Sequence, residues 1–474
     1  MLAVTAAAVV VTAAVNFLGV QLPWYLFAGL LAAAVVGILI VRSPFTGIIL
    51  IAVVLPFERL GAFEFGSTTI RLSQVLLLVT FGVWFLQKVL RRDYAYARNP
   101  PLVPLVLFLV AGILPITASL NAGRTVEVFA FVTFTALLLW LIPNIVQTPA
   151  QLRRVVSALL LSFVAVVAFG LFQFAGDMVG LPTSVTGLRT LYTKEVLGFT
   201  RIQSTAYEPL YFANYLLLPL ALLAALFLSG RSTVRAGWLA LLFGLGAINL
   251  VLTASRGGYL ALAGVLFVVG IFSLRRLLSP RNLVLVASIV VIGAMVVFRV
   301  LGIGGSAGTN DLFRSHITNV FYGASYQERV ETIQTAVQAW REQPVLGLGF
   351  GGFGPYAAPH PAYVPEDGWR IVNNEFVELL AENGIVGALL FGLFTLVIIT
   401  RSVRAIARTR DAYLRAVSVA LLAAWVGVLV QYLTFSTLYI VHVWFLLGLI
   451  VAVQSMALRD VSTAEPQPAV AGPE

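Results

Sequence analysis

Apolar residues are grouped into long runs along this chain. Runs of about 18 to 21 such residues recur over nearly the whole sequence, the length at which a helix crosses a hydrocarbon core of roughly 30 Å. We count fourteen, and because the third is short and bounded by Pro44 and Pro56, twelve or thirteen is an alternative. The runs are residues 2–20, 23–41, 45–55, 71–89, 102–119, 125–145, 155–175, 210–229, 236–253, 257–274, 282–301, 379–400, 415–434 and 438–457. They predict an all-α polytopic membrane protein with about 12–14 transmembrane helices.

Composition supports a membrane protein. Hydrophobic residues make up 60% of the 474 residues and charged residues only 11%, far from the balance of a soluble domain. No basic region precedes the first run and a second run follows almost at once, so we expect a membrane helix there and not a signal peptide.

The distribution of basic residues predicts the topology. Alternate connections between the runs hold 18 of the 30 basic residues, whereas the short connections on the other side hold four: Arg59, Arg71, Arg124 and Arg256. Since cytoplasmic loops retain lysine and arginine, both termini are expected in the cytoplasm. The net charge of +10 therefore reflects topology, and we expect no nucleic acid among the partners.

Two long polar segments, 176–209 and 302–372, fall on the extracytoplasmic side under this topology. The chain has no cysteine, and its three histidines, His316, His360 and His442, are scattered, so no metal site is predicted. The predicted division is a transmembrane bundle at 1–175, an extracytoplasmic loop at 176–209, transmembrane helices at 210–301, a large extracytoplasmic loop at 302–378, transmembrane helices at 379–457 and a disordered cytoplasmic tail at 458–474.

The large loop contains the sequence "SYQERVETIQTAVQAWREQPVLGLG". Its apolar residues recur at near-helical spacing, namely Val330, Ile333, Val337 and Trp340. An amphipathic helix at the membrane surface is predicted over 325–342, with Pro344 as its stop. Arg329 falls at the edge of the apolar face, and the alternative to a functional role is an arginine that snorkels to the lipid headgroups.

A glycine-rich stretch, "GLGFGGFG" at 347–354, follows that helix. A nucleotide-binding loop would need a preceding strand and a closing lysine, and both are missing. We therefore predict a tight turn at the membrane surface.

Arg256 lies in "TASRGG", a connection too short to carry its side chain far from the membrane. An ionisable group at that depth usually faces a polar cavity, and guanidinium groups bind phosphate oxygens bidentately. In the smaller loop, "FTRIQSTAYEPLYFANY" contains Arg201 and Glu208. Because Glu208 precedes Pro209, a simple helix-terminal acid is the alternative to a functional role.

The stretch "NNEFVELLAENGIVGALLFG" begins at Asn373 and places Glu375, Glu378 and Glu382 on one helical face. Asn373 or Asn374 can cap this helix, which we expect to continue without a break into an apolar run. The acidic face is predicted to meet the arginine-bearing loop at the lip of a cavity. A solvated face is the alternative.

This order of motifs resembles the O-antigen ligase and O-antigen polymerase superfamily over about residues 195–400. The most specific part is "QPVLGLGFGGFG" followed by "NNEFVELLAENGIVG". The resemblance implies an integral-membrane glycosyltransferase of the C type in the bacterial inner membrane, with its active site facing the periplasm or cell exterior. It implies no metal and no other cofactor. The implied partners are membrane lipid, a donor glycan on undecaprenyl diphosphate, and an acceptor that is lipid A core for a ligase or another repeat unit for a polymerase.

The resemblance also implies roles for single residues. Arg256 matches the family's arginine in the turn, and Arg329 matches the arginine that opens the loop helix. Both are expected to bind the diphosphate, together with Arg201.

The chain departs from the ligase pattern at its last motif, which begins with His-Asn in the family and with Asn373 here. Asparagine cannot act as a general base, so Asn373 is expected to orient an acceptor hydroxyl. The candidates for the base are Glu208, Glu375 and His360, with Glu208 ranked first. The residues expected to contact acceptor or glycan are Asn374, His360 and Tyr207.

We prefer the polymerase reaction over the ligase reaction because the histidine is missing and "AYEP" resembles polymerase-type sequences. A transporter of lipid-linked oligosaccharides would also have many transmembrane helices. It would usually show inverted repeats, and the sequence shows none.

Overall fold

The structure is a computed structural model that describes residues 24–60, 63–65, 68–189, 200–230, 234–280, 324–362, 368–436 and 438–462. The predicted apolar runs 2–20 and 282–301 lie outside these ranges, as does most of the predicted tail. Residues 458–462 of that tail continue the last helix.

Thirteen helices of more than ten residues make up most of the described part of the chain. They are α1 (Trp24–Arg42), α2 (Pro44–Val54), α3 (Leu72–Leu90), α4 (Leu102–Ile113), α5 (Ala122–Ile145), α6 (Pro149–Met178), α7 (Pro209–Ser229), α8 (Ala236–Leu252), α9 (Arg256–Leu277), α10 (Ala324–Glu342), α11 (Glu375–Arg408), α12 (Ala412–Gln431) and α13 (Val441–Ser462). The shorter elements are the helical turns Leu55–Phe57, Leu114–Ala118, Thr183–Thr186, Ser204–Ala206 and Phe353–Ala357, and an antiparallel ribbon of β1 (Phe63–Phe65) and β2 (Thr68–Ile70).

The prediction of an all-α polytopic membrane protein is confirmed. Eight helices are long and apolar enough to cross a membrane, namely α3, α5, α6, α7, α9, α11, α12 and α13, and α1, α2, α4 and α8 are shorter apolar helices. Together they account for the twelve predicted runs that lie in the described residues. Large apolar side chains such as Leu78, Leu161, Phe267 and Leu389 are exposed, as expected for a surface in contact with lipid.

The centre of the bundle is formed by α7, α12 and α13, whose residues are mostly buried within the protein. Helix α12 packs against α7 and α9, and α13 packs against α5. Gly427 of α12 lies so close to α9 that an added Cβ would come within 2.6 Å of Val265 Cγ2. Close backbone approach at small residues is the usual way in which membrane helices pack.

Helix α11 is broken at Gly384, so the prediction that it continues without a break into the apolar run is wrong. Gly384 has φ +61° and ψ −168°, which no helix accommodates. The two hydrogen bonds that a continuous helix would form from the N–H groups of Ile385 and Val386 are therefore absent. The N–H of Ile385 instead donates to the Pro344 carbonyl at 2.9 Å, and that of Val386 to the Val345 carbonyl at 3.2 Å.

The glycine-rich segment donates hydrogen bonds to the two carbonyl groups that the break leaves without helical partners. The N–H of Leu348 donates to the Ala381 carbonyl at 3.0 Å, and the N–H of Gly349 donates to the Glu382 carbonyl at 2.8 Å. Gly349 has φ +88°, a conformation that glycine adopts without strain. The segment that was predicted as a surface turn thus packs against the break, and its backbone forms the hydrogen bonds that α11 lacks there.

Replacing Gly384 by alanine should lower the thermal unfolding temperature in detergent by several degrees. The backbone conformation alone costs ~1–3 kcal/mol for a residue with a side chain, and the added Cβ would clash with the Val345 carbonyl. Gly392→Ala is the matched control, because Gly392 lies in the same helix with no atom near its missing Cβ. Equal unfolding temperatures for the two variants would contradict this account of the break.

Candidate functional site

The turn between α8 and α9 presents Arg256 at the first position of α9. Ala254 adopts φ +48°, which reverses the chain within a few residues. Ser255 then caps α9, its Oγ accepting a hydrogen bond from the N–H of Gly258 at 3.1 Å. Arg256 itself is exposed.

Arg201 is fixed against the same turn. Its Nε donates to the Thr253 carbonyl at 2.8 Å, and the N–H of its neighbour Ile202 donates to the Leu252 carbonyl at 3.2 Å. The segment before α7 is therefore tied to the last carbonyl groups of α8, and this brings Arg201 next to the Arg256 turn.

Helix α10 brings the third arginine, Arg329. The sequence predicted that Val330, Ile333, Val337 and Trp340 would form its apolar face, and all four are half-buried. Its fully buried positions are instead the small residues Thr332, Ala336 and Ala339, because small side chains let α10 approach α11 closely. Arg329 is half-buried on this helix, one turn before Thr332.

The three guanidinium groups of Arg201, Arg256 and Arg329 form what we call the arginine cluster. Burial lowers the pKa of the Arg201 guanidinium. Tyr259 and Glu208 oppose that shift, and the charges of Arg329 and Arg256 lower the pKa further. Burial also lowers the pKa of Arg329, and Arg256 adds to that shift. Because arginine keeps its proton in proteins, the three groups repel one another and create a positive field suited to an anion.

Glu208 lies beside the arginine cluster. It is the N-cap residue of α7, but its side chain makes no capping hydrogen bond. Its Oε2 is instead 3.5 Å from Nη1 of Arg59, whose guanidinium stacks on the Tyr211 ring at 3.8 Å from the centroid. Glu208 thus lies at a helix N-terminus and also pairs with an arginine, and its functional role stays a prediction.

Burial raises the pKa of the Glu208 carboxyl, and the charges of Arg59, Arg201 and Arg189 act in the opposite direction. The Arg189 guanidinium lies 5.5 Å from the centroid of the Tyr207 ring. Glu208 therefore has a member of the arginine cluster among its neighbours as well as Arg59. Tyr207, with φ +55°, belongs to the same surroundings.

The N-terminus of α11 approaches the same region. Asn374 caps the helix, its Oδ1 accepting from the N–H of Val377 at 3.2 Å, and Asn373 precedes it at φ +58°. The Val372 carbonyl accepts from the Thr332 hydroxyl of α10 at 3.3 Å. Asn373 thus follows a residue anchored to the helix that carries Arg329.

A second tie connects α11 to the Arg256 turn. The N–H of Glu375 donates to the Tyr432 carbonyl at 2.8 Å. Two residues later Thr434 packs against Gly257, so closely that any side chain there would clash. The turn after α12 therefore joins the N-termini of α9 and α11.

The three glutamates of α11 do not form a solvated face, since Glu375 and Glu382 are buried and Glu378 is half-buried. Glu382 accepts hydrogen bonds from the N–H groups of Gly351 at 2.9 Å and Phe353 at 3.1 Å. Glu378 accepts from the N–H of Val372 at 2.9 Å. These acids therefore hold backbone of the large loop, and across a small cavity they face Arg124.

His360 is exposed in the loop that follows the helical turn Phe353–Ala357, near Pro361, whose carbonyl accepts from Asn121 Nδ2 at 2.9 Å. His442 is buried in α13, where its Nε2 lies 2.6 Å from Asn214 Oδ1.

Three arginines of this region were missed as candidates. Arg59 pairs with Glu208 as described above. Arg71 pairs with Glu58 at 3.0 Å, and Arg124 contacts Glu127 at 3.3 Å. A signal was present, because these three and Arg256 are the four basic residues in the short connections on the side where the charge rule disfavours them.

Comparison with known families gives one match. Residues 241–392, which are 152 of the 474 residues, match the family model described as O-antigen ligase. The matched segment contains Arg256, Arg329 and Asn373, whereas Arg201 and Glu208 precede it. No curated protein matches the sequence.

Proposed function

We propose, from the match of residues 241–392 to the O-antigen ligase family, that the chain transfers glycan from an undecaprenyl-diphosphate donor. The reaction we infer is the polymerisation of O-antigen or exopolysaccharide repeat units. Transfer to lipid A core or another acceptor, as by a ligase, is the second candidate.

The arginine cluster is the observation that carries this proposal. A diphosphate leaving group gains negative charge at its bridging oxygen as the sugar departs, and fixed cations stabilise that charge in the transition state. Arginine also offers paired N–H groups that match phosphate oxygens. The cluster supplies three guanidinium groups, and a bound anion reduces the repulsion among them.

Glu208 supports the proposal as the acceptor base. In this scheme the acceptor hydroxyl attacks the anomeric carbon of the donor sugar, and the bond from that carbon to the diphosphate oxygen breaks. The hydroxyl proton passes to Glu208 and the electron pair leaves with the diphosphate. Glu208 lies near Arg201, so base and leaving-group site are neighbours.

Asn373 supports the polymerase over the ligase, because it stands where the ligase pattern has histidine. Its amide can accept and donate hydrogen bonds but cannot take a proton. We assign it the orientation of the acceptor hydroxyl, and we leave Glu375, Asn374, His360 and Tyr207 as proposed contacts to reactants.

The proposed membrane is the bacterial inner membrane, with the site on its outer side and both termini in the cytoplasm. The N-termini of α7, α9 and α11 all lie at the end of the bundle that holds the site. The asymmetry of basic residues in the short connections supports placing that end outside.

The reaction type can be tested with purified protein. Given only the undecaprenyl-diphosphate-linked repeat unit, a polymerase should form a ladder of longer glycans on a gel, because each product is again a substrate. A product with a single addition, formed only when a core acceptor is supplied, would replace polymerase by ligase. Movement of the intact lipid-linked glycan across vesicles without a new bond would overturn the enzyme proposal itself.

Replacing Arg256 or Arg329 by lysine should reduce the transfer rate by at least about a hundredfold, because lysine keeps the charge but loses the paired donors. The same preparations should keep the wild-type unfolding temperature. Arg275→Lys is the matched control, since Arg275 is exposed at the opposite end of α9. Near-normal transfer by Arg256→Lys would rule out bidentate phosphate binding.

The pH dependence of the transfer reaction should follow the titration of the Glu208 carboxyl. A base works when deprotonated, so kcat/KM should fall as pH drops through the pKa of Glu208, which burial raises above its usual range. Arg59→Gln removes a charge that favours the carboxylate and should shift this acid limb to higher pH. Glu208→Gln should abolish transfer.

The control for Arg59→Gln is Arg153→Gln, because Arg153 also stacks on a tyrosine, at 3.9 Å from the Tyr413 centroid. It should leave the pH profile unchanged. An acid limb that stays in place in the Arg59 variant would exclude Glu208 as the titrating base.

A further inference from the structure

A second polar region lies between the N-terminal ends of α3 and α5. A cavity of about 220 Å³ there is lined by Arg71, Gln74, Arg124, Glu127, Phe131 and Tyr439, among others. A single water needs only about 10–15 Å³ of such space. The cavity is therefore large enough for a ligand of several ring atoms.

This cavity is one of a series. Arg124 and Tyr439 also line a neighbouring space that is bounded by Asn383 and the glutamates of α11. On the other side, Arg71 lines a space shared with Arg59. Since Arg59 pairs with Glu208, the series leads to the proposed base through Arg71 and Arg59.

Unused hydrogen-bonding groups mark the region as a binding site. Asn383 is 1% exposed, and within the described part of the chain neither atom of its side-chain amide has a hydrogen-bond partner. The Nε of Arg124 is likewise buried and has no hydrogen-bond partner within the described residues. Asn383 lines the neighbouring space and Arg124 lines both spaces. Because buried polar groups are nearly always paired, these groups mark a place that suits a ligand or water.

The charges around the cavity favour an uncharged polar ligand. Arg71 is compensated by Glu58, and Arg124 by Glu127. The arginine cluster, in contrast, places three cations near one another, although Glu208 and Glu328 oppose part of their charge. A diphosphate is therefore better accommodated by the cluster than by this cavity.

The lining suits saccharide hydroxyl groups. Each hydroxyl both donates and accepts, and the cavity offers donors on Arg124, acceptors on Glu127 and a phenol on Tyr439. Gln74 Oε1 already accepts from the N–H of Arg71 at 2.9 Å, which leaves the amide nitrogen for a ligand oxygen. Phe131 adds an apolar face against which a sugar ring can pack.

We propose that this cavity, which we call the acceptor chamber, binds the saccharide of the acceptor and presents its hydroxyl to Glu208. The inference rests on the proposed function and extends it, because it assigns donor and acceptor to two different places near Glu208. The arginine cluster holds the donor diphosphate, and the acceptor chamber binds the sugar of the acceptor.

The test measures binding of the saccharide alone, without the diphosphate. Mild acid hydrolysis of the cell's lipid-linked glycan releases the free repeat-unit oligosaccharide, which is then tritium-labelled by borohydride reduction. Binding to the purified protein is measured by equilibrium dialysis. Arg124→Gln and Gln74→Glu should each weaken binding by at least about tenfold, the latter because it keeps the oxygen bonded to Arg71 while replacing the amide donor by a carboxylate oxygen.

Two variants serve as controls. Gln334→Glu makes the same chemical change on the exposed face of α10 and should bind the oligosaccharide as the wild type does. Arg256→Lys should also bind it normally, although its binding of the lipid-linked diphosphate is weakened. If Arg124→Gln lowers the unfolding temperature, Tyr439→Phe provides the test, since it removes a single hydroxyl from the same cavity.

The outcomes distinguish the two proposals. Wild-type-like binding by all the chamber variants, loss of binding in Arg256→Lys, or no binding to the wild type would overturn the acceptor chamber. Oligosaccharide binding that depends on Arg124 and Gln74, in a protein that forms no glycosidic bond, would support the chamber while refuting the proposed reaction.

Discussion

Mutual repulsion among three guanidinium groups is the constraint around which this site is built. Cations that are partly removed from water and close to one another oppose folding unless other contacts hold their backbones in place. Those contacts are local and specific: Arg201 bonds the Thr253 carbonyl, Ser255 caps the helix that begins with Arg256, and small residues seat the helix of Arg329. A bound anion would offset part of that repulsion.

Much of the fold followed from the sequence because hydrophobic runs of membrane length report directly on transmembrane helices. The three arginines could also be named, since each lies in a local motif with an evident conflict between charge and apolar surroundings. The caps were predictable in the same way, as with Asn374. All these inferences depend on residues close together in the sequence.

What could not be predicted depends on contacts between distant segments. The pairing of Arg59 with Glu208 joins residues 149 positions apart, and nothing in either stretch specifies the other. Periodicity identifies the bulky residues of α10, which are half-buried, but it does not single out Ala336 and Ala339, which close helix packing buries fully. The break at Gly384 is equally invisible, because its hydrogen-bond partners lie some forty residues earlier.

The break in α11 also has a consequence for how the protein is made. A chain emerges from the ribosome with its N-terminal part first, so residues 344–349 are synthesised before Gly384. A backbone group left without a partner away from water is costly, and the break leaves four of them to be satisfied by that earlier segment. Helix α11 therefore completes its hydrogen bonding only when residues 344–349 pack against it, so the folding of the two segments is coupled.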